Sequence, residues 1–94
     1  MRILKFTRHL ELRLKLRDIP RDFPQEIYLN GDERYFDVLT DKFIAVKRMK
    51  YHGKSRELVV VYEEKGNEAH LITIHPLKEY QKEARIKSGR WSKI

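Results

Sequence analysis

Residues 8–17 open the chain's apolar pattern with a conflict. Leu10, Leu12, Leu14 and Leu16 alternate with charged residues, which is the period of a strand. Yet the stretch has no β-branched residue, and Leu, Arg, Lys and Glu are all good helix formers. Thr7 supplies an N-cap, Glu11 an acid in the first turn, and Lys15 and Arg17 bases in the last. A helix is the expectation, ended by Ile19-Pro20 because a residue before proline avoids the α region. Asp22-Phe23-Pro24-Gln25 starts a second helix, with Asp22 as cap and Gln25 in the capping-box position. Phe23 and Ile27 share a face, and Asn30-Gly31 stops it.

From Arg34 the period changes to that of strands. Tyr35–Leu39, Phe43–Met49, Glu57–Glu63 and Ala69–His75 are the expected four, separated by Thr40-Asp41, by the loop Tyr51-His52-Gly53-Lys54-Ser55, and by Lys65-Gly66-Asn67. The run Leu58-Val59-Val60-Val61-Tyr62 suits a central strand buried on both faces. Connections this short favour an antiparallel meander. Pro76 is then expected to open a third helix, with Glu83 and Lys87 paired along it and Gly89 as its stop. The predicted fold is α+β in one domain, residues 1–94: two N-terminal helices, a four-stranded antiparallel sheet and a C-terminal helix.

Charge sharpens this picture. Twenty-one Lys and Arg face fourteen Asp and Glu, a formal net charge of +7. The bases concentrate in residues 2–17, 47–56 and 78–93, the electrostatic signature of a phosphate-rich partner. The chain has no cysteine, so no thiolate chemistry is available. The longest apolar run is far short of a membrane span, and no signal-peptide core is present. A cytoplasmic protein with no membrane association is the expectation. Asn and Gln number four together, against abundant Lys, Arg and Glu, a bias shared with hyperthermophile proteins.

Walker loops, G-x-G-x-x-G, G-x-S-x-G and cysteine pairs are absent. His70 and His75 are an odd number of residues apart on one strand and so are expected on opposite faces, unable to chelate one ion. No metal and no cofactor are expected. His75 stands apart. Leu71, Thr73 and His75 share a strand face by parity, and a strand end is a rigid place from which to present an imidazole. Its ordinary pKa suits proton transfer near neutrality. The alternative is an ordinary histidine covering a sheet edge.

Three further groups are candidates for holding phosphate. Lys47, Arg48, Lys50, Lys54 and Arg56 surround the Tyr51-His52-Gly53 loop, and a guanidinium fork matches phosphate oxygens where a lysine supplies a point charge. They would equally suit a solvated hairpin end. His9, Arg13 and Arg17 lie four apart on one helical stripe, expected to form the wall of a groove facing Thr73 and His75; taken alone, the stripe equally suits an ordinary polar helix face. The Gly89-Arg90-Trp91 tail is expected to cover the groove or extend it, and Trp91 either stacks on a base, as Tyr80 could, or anchors the terminus.

The order of elements, the H-x-x-x-R stripe at His9 and Arg13, the hairpin sequence KSRELVVVYEE (residues 54–64) and the last strand HLITIHP (residues 70–76) resemble the RelE-like ribonuclease toxins, in particular the BrnT-type branch and related small domains. The resemblance covers most of residues 7–76. It implies metal-independent RNA cleavage by attack of a ribose 2′-hydroxyl on the adjacent phosphate. It matches its catalytic positions to His75, Arg56, Lys47 and Lys54, and a further basic position to Lys50. Substrate binding is expected of His9, Arg13, Lys50, Tyr51 and, in the tail beyond the resemblance, Arg90. The implied partners are RNA or the ribosome, and an acidic antitoxin protein. Two alternatives stand beside it: a non-catalytic RNA- or ribosome-binding module, and an interaction domain for an acidic partner.

Overall fold

The computed structural model describes residues 2–94. It opens with a strand, β1 (Ile3–Phe6), before the two expected helices α1 (Arg8–Leu16) and α2 (Phe23–Asn30). Four longer strands follow: β2 (Glu33–Asp37), β3 (Lys42–Tyr51), β4 (Lys54–Lys65) and β5 (Glu68–Pro76). The chain closes with α3 (Glu79–Lys87) and β6 (Trp91–Lys93). All six strands form one sheet in the order β1-β5-β4-β3-β2-β6. β1 lies parallel to β5, while the other neighbours are antiparallel.

This corrects the expected four-stranded antiparallel sheet. The meander β2 to β5 is flanked by a strand at each edge, and the sheet is mixed. β1 forms because Leu4 and Phe6 pack against the main core while Ile3 and Lys5 stay exposed. That is a half-buried edge pattern of only four residues. β6 forms because Trp91 buries itself on the opposite face of the sheet and its backbone extends β2.

Thr7 joins the first two elements. Its hydroxyl accepts from the Leu10 amide at 3.1 Å, capping α1, and donates to the Ile72 carbonyl of β5 at 2.8 Å. The helix thus starts at a fixed point on the sheet. Leu10 and Leu14 are buried and Leu12 and Leu16 exposed, so the alternating leucines split between the two sides of a helix. Burying two leucines stabilises by roughly 1.5–3 kcal/mol each. Asp22 does precede α2, but its side chain makes no capping bond, so the capping box expected there is absent. Pro76 closes β5 instead of opening a helix: the Leu77 amide still donates to the Glu57 carbonyl at 2.8 Å, and α3 begins after Lys78.

The apolar side chains fall into two clusters separated by the sheet. One gathers Leu10, Leu14, Ile27, Leu58, Val60, Leu71 and Ile74 beneath α1 and α2. The other gathers Tyr35, Ile44, Val46, Val59, Leu77 and Trp91. Leu58, Val59 and Val60 are inaccessible to solvent, as a central strand covered on both sides requires. No helix among the described residues is long and apolar enough to cross a membrane.

One irregularity matters for the site. Tyr62 pairs with Leu71, but Val61 pairs with Thr73, so Ile72 is an extra residue in β5. Such a bulge inverts the facing of everything beyond it. Leu71 belongs to the α1–α2 side, whereas Thr73 and His75 lie opposite Val61 and Val59 on the other. The shared face expected for Leu71, Thr73 and His75 therefore holds for the last two only. His70, opposite Glu63, shares the face of His75, which corrects the expectation that they oppose each other.

Candidate functional site

β1 ends at Phe6, opposite Leu71, so the last residues of β5 have no outer neighbour strand. His75 sits in this uncovered stretch. It lines a cleft of about 330 Å³ with Arg17 from the end of α1, Arg56 from β4, Lys78, and Gln81 and Arg85 from α3. No carboxylate lines the cleft. A site with four permanent cations and one imidazole is built to receive an anion.

The imidazole is fixed by its own chain. Nδ1 lies 3.1 Å from the Pro76 carbonyl oxygen. A carbonyl can only accept, so this contact places the proton on Nδ1 and leaves Nε2 with its lone pair. Burial pushes the His75 pKa below its ordinary value of 6.5; the Pro76 hydrogen bond opposes that, and the charges of Arg85, Arg17 and Arg13 deepen it. The ring is therefore neutral at neutral pH, the form that can take a proton.

The cations are also held. The Tyr51 hydroxyl donates to the Arg17 carbonyl at 2.6 Å, tying the end of α1 to the β3–β4 hairpin. The Arg17 Nε is buried without a partner, so the guanidinium keeps an unused donor. The Arg85 guanidinium lies 5.4 Å from the centroid of the Trp91 ring, a cation–π distance. β6 thus supports the α3 side of the cleft.

The structure brings His75 and Arg56 together and places the other candidates elsewhere. Lys47 faces Glu26 and Asp32 at 3.9 and 3.8 Å; its charge is already matched outside the cleft. Lys50 and Lys54 are exposed at the β3–β4 hairpin, whose turn is His52-Gly53 with both φ positive. Tyr51 is buried, with its hydroxyl committed to Arg17. Arg13 and His9 contact each other at 3.3 Å on the exposed side of α1. Neither lines the cleft, although Arg13 is close enough to act on His75 electrostatically. The expected wall of His9 and Arg13 is replaced by the last member of that stripe, Arg17. Arg90 grips the buried Asp37 at 3.0 and 3.1 Å, and the Trp91 indole donates to the same carboxylate at 3.3 Å. The Gly89-Arg90-Trp91 tail is an anchor.

Lys78, Gln81 and Arg85 were missed as cleft residues. Their spacing of i, i+3 and i+7 was legible as one helical stripe, but nothing in the sequence aimed that stripe at His75. Among the described residues no three His, Cys, Asp or Glu side chains are grouped to hold a metal ion. No protein-family model, curated protein or solved structure matches the chain.

Proposed function

We propose that this is a cytoplasmic, metal-independent ribonuclease of the toxin–antitoxin type, with His75 as the proton acceptor. The observation that carries the reading is the neutral, Nδ1-anchored His75 in a cleft of arginines and lysine that contains no acid. The resemblance to RelE-like ribonucleases supports it through the residues quoted above. An RNA phosphodiester in the cleft is held by Arg56, Arg85 and Lys78. His75 Nε2 takes the proton of the adjacent 2′-hydroxyl as its oxygen bonds to phosphorus. Arg56 and Arg17 bear the added charge of the crowded phosphate, electrostatic stabilisation of the oxyanion kind. The bond to the 5′-oxygen breaks, and that oxygen takes a proton from water. The imidazolium returns its proton to the hydroxide so formed. The products are a 2′,3′-cyclic phosphate and a 5′-hydroxyl. An acidic antitoxin is the protein partner this reading assigns to the basic surface.

The test is cleavage of a mixed-sequence RNA in excess EDTA. Removal of an acid–base group typically costs about 10²–10⁴-fold in rate, so His75→Ala should lose that much with RNA affinity nearly unchanged. Arg56→Ala should lose both. Activity surviving His75→Ala rejects the assignment.

One observation favours a second reading, an RNA-binding module without catalysis. No second group that titrates near neutrality lines the cleft to protonate the leaving oxygen. Tight, salt-sensitive RNA binding with no cleavage by clean wild-type protein would select it.

A further inference from the structure

The cleft does not end at Arg56 and Lys78. Those two residues also line a neighbouring cavity of about 390 Å³, together with Arg48, Glu57, Glu79 and Tyr80. The two cavities are neighbours that share Arg56 and Lys78, but their chemistry differs. The His75 half has no carboxylate. The second half has two carboxylates and an aromatic ring. Glu57 is neutralised by Lys82 at 3.0 Å, whereas Glu79 is exposed at the start of α3. A phosphate is repelled by such a carboxylate, whereas the amino group of a nucleobase can donate to it.

Tyr80 is 65% exposed and belongs to neither apolar cluster. The Lys78 ammonium lies 5.9 Å from its ring centroid, so the ring stands beside one of the two cations that join the cavities. A single exposed tyrosine is ordinary. This one lies one cavity away from a cationic phosphate cleft, the arrangement by which single strands are gripped: backbone on cations, base on an aromatic face.

We infer that the second cavity is a base-binding subsite, with Tyr80 as its stacking platform, and that the groove accepts a single strand in preference to a duplex. This rests on the reading of the cleft as an RNA site. With a phosphate between Arg56 and Arg85, the strand crosses Lys78 and lays an unpaired base on Tyr80. Arg48 meets the next phosphate. A base held in a duplex is stacked on both sides and cannot offer its face to the ring.

The experiment uses a fluorescently labelled 2′-O-methyl RNA 12-mer, which lacks the attacking hydroxyl, so that binding is read apart from cleavage. Anisotropy titrations compare the single strand with its duplex, on wild type, Tyr80→Ala, Tyr80→Phe and Arg48→Ala. The single strand should bind more tightly than the duplex. Tyr80→Ala should weaken it about tenfold or more and leave the duplex unchanged. Tyr80→Phe should restore it, and Arg48→Ala should lower the salt slope by about one phosphate. Equal affinity of wild type and Tyr80→Ala for the single strand overturns the subsite. So does a duplex bound as tightly as the single strand. Either result with His75-dependent cleavage intact leaves the ribonuclease reading standing, whereas no binding of any RNA removes both.

Discussion

The two helical sides of the cleft are held by opposite physics. α1 brings Arg17 to the site and is fixed by apolar burial, with Leu10 and Leu14 in the core. A threonine cap bonded to β5 fixes one end and a tyrosine hydroxyl the other. α3 brings Gln81 and Arg85 and has no buried residue at all. Its main tie is Lys82, which reaches Glu57 at 3.0 Å and Glu33 at 3.2 Å beneath the helix. Glu33 in turn accepts from the Tyr35 hydroxyl. That bond and the Lys82 contact lower the Glu33 pKa, while burial and the neighbouring carboxylate push Tyr35 up to about 12. Apolar burial is not screened by salt, whereas ion pairs are. One side of the cleft is therefore part of the core, and the other is an electrostatic attachment.

Removing the apolar hold should have the largest effect. Leu10→Ala deletes a side chain with no solvent exposure and should cost about 2–5 kcal/mol, read as a lower denaturant midpoint. If the midpoint stays at the wild-type value, α1 is not held as described.

Breaking the electrostatic hold should be milder and more local. Lys82→Met removes the cation shared by Glu33 and Glu57, and loss of a charged hydrogen bond in a partly buried place costs about 1–3 kcal/mol. Amide hydrogen exchange should quicken across α3 with α1 still protected. In the wild type the same should follow acidification. Glu33 titrates below its ordinary value when folded, so its contribution is complete above that value and is lost as pH falls through the lowered one. Uniform exchange in both helices under these conditions would erase the contrast.

The sequence shows the α1 side more clearly than the α3 side, for a physical reason. A threonine cap, good helix formers and charges placed at the ends are local signals, and they predict a helix that is found, although it stops at Leu16, before a left-handed Asp18, and not at Ile19-Pro20. α3 depends on partners that are remote along the chain. Nothing near Lys82 announces Glu33 or Glu57, and nothing near Trp91 announces Asp37. The edge strands escaped for a related cause: β1 has four residues and β6 three, too few for a period to emerge, and each exists because a neighbouring strand was waiting. The bulge at Ile72 is set by pairing with β4 and inverted the strand-parity readings of both His70 and His75. The family resemblance named both His75 and Arg56, and antiparallel β4 and β5 bring the start of one strand beside the end of the other. Lys47 and Arg90 could not be separated from them, since a cation's availability depends on which carboxylates the fold brings beside it.

The smallest expected effect is the most specific to the junction of the two sides. His75 shares its cleft with Arg17 at the end of α1, Arg56 of β4, and Lys78 and Arg85 at α3, and Arg13 of α1 acts on it from outside the cleft. Its folded pKa lies below the ordinary 6.5 because of burial first; the Pro76 hydrogen bond opposes this, and the charges of Arg85, Arg17 and Arg13 add to it. Below 6.5 the unfolded chain binds a proton that the folded chain refuses, so stability falls with falling pH until the lowered value is passed. Above 6.5 the two states bind alike and the effect vanishes. Thermal midpoints measured from pH 8 to pH 5 should decline more steeply in wild type than in His75→Gln, which does not titrate. The cleavage rate should show its acid limb in the same window, since only the neutral ring accepts a proton. Lys82→Met, by letting α3 and Arg85 move away, should shift both inflections toward 6.5. Parallel stability curves for wild type and His75→Gln would mean that the ring is solvated, and the cleft would then lack the neutral base on which its chemistry depends.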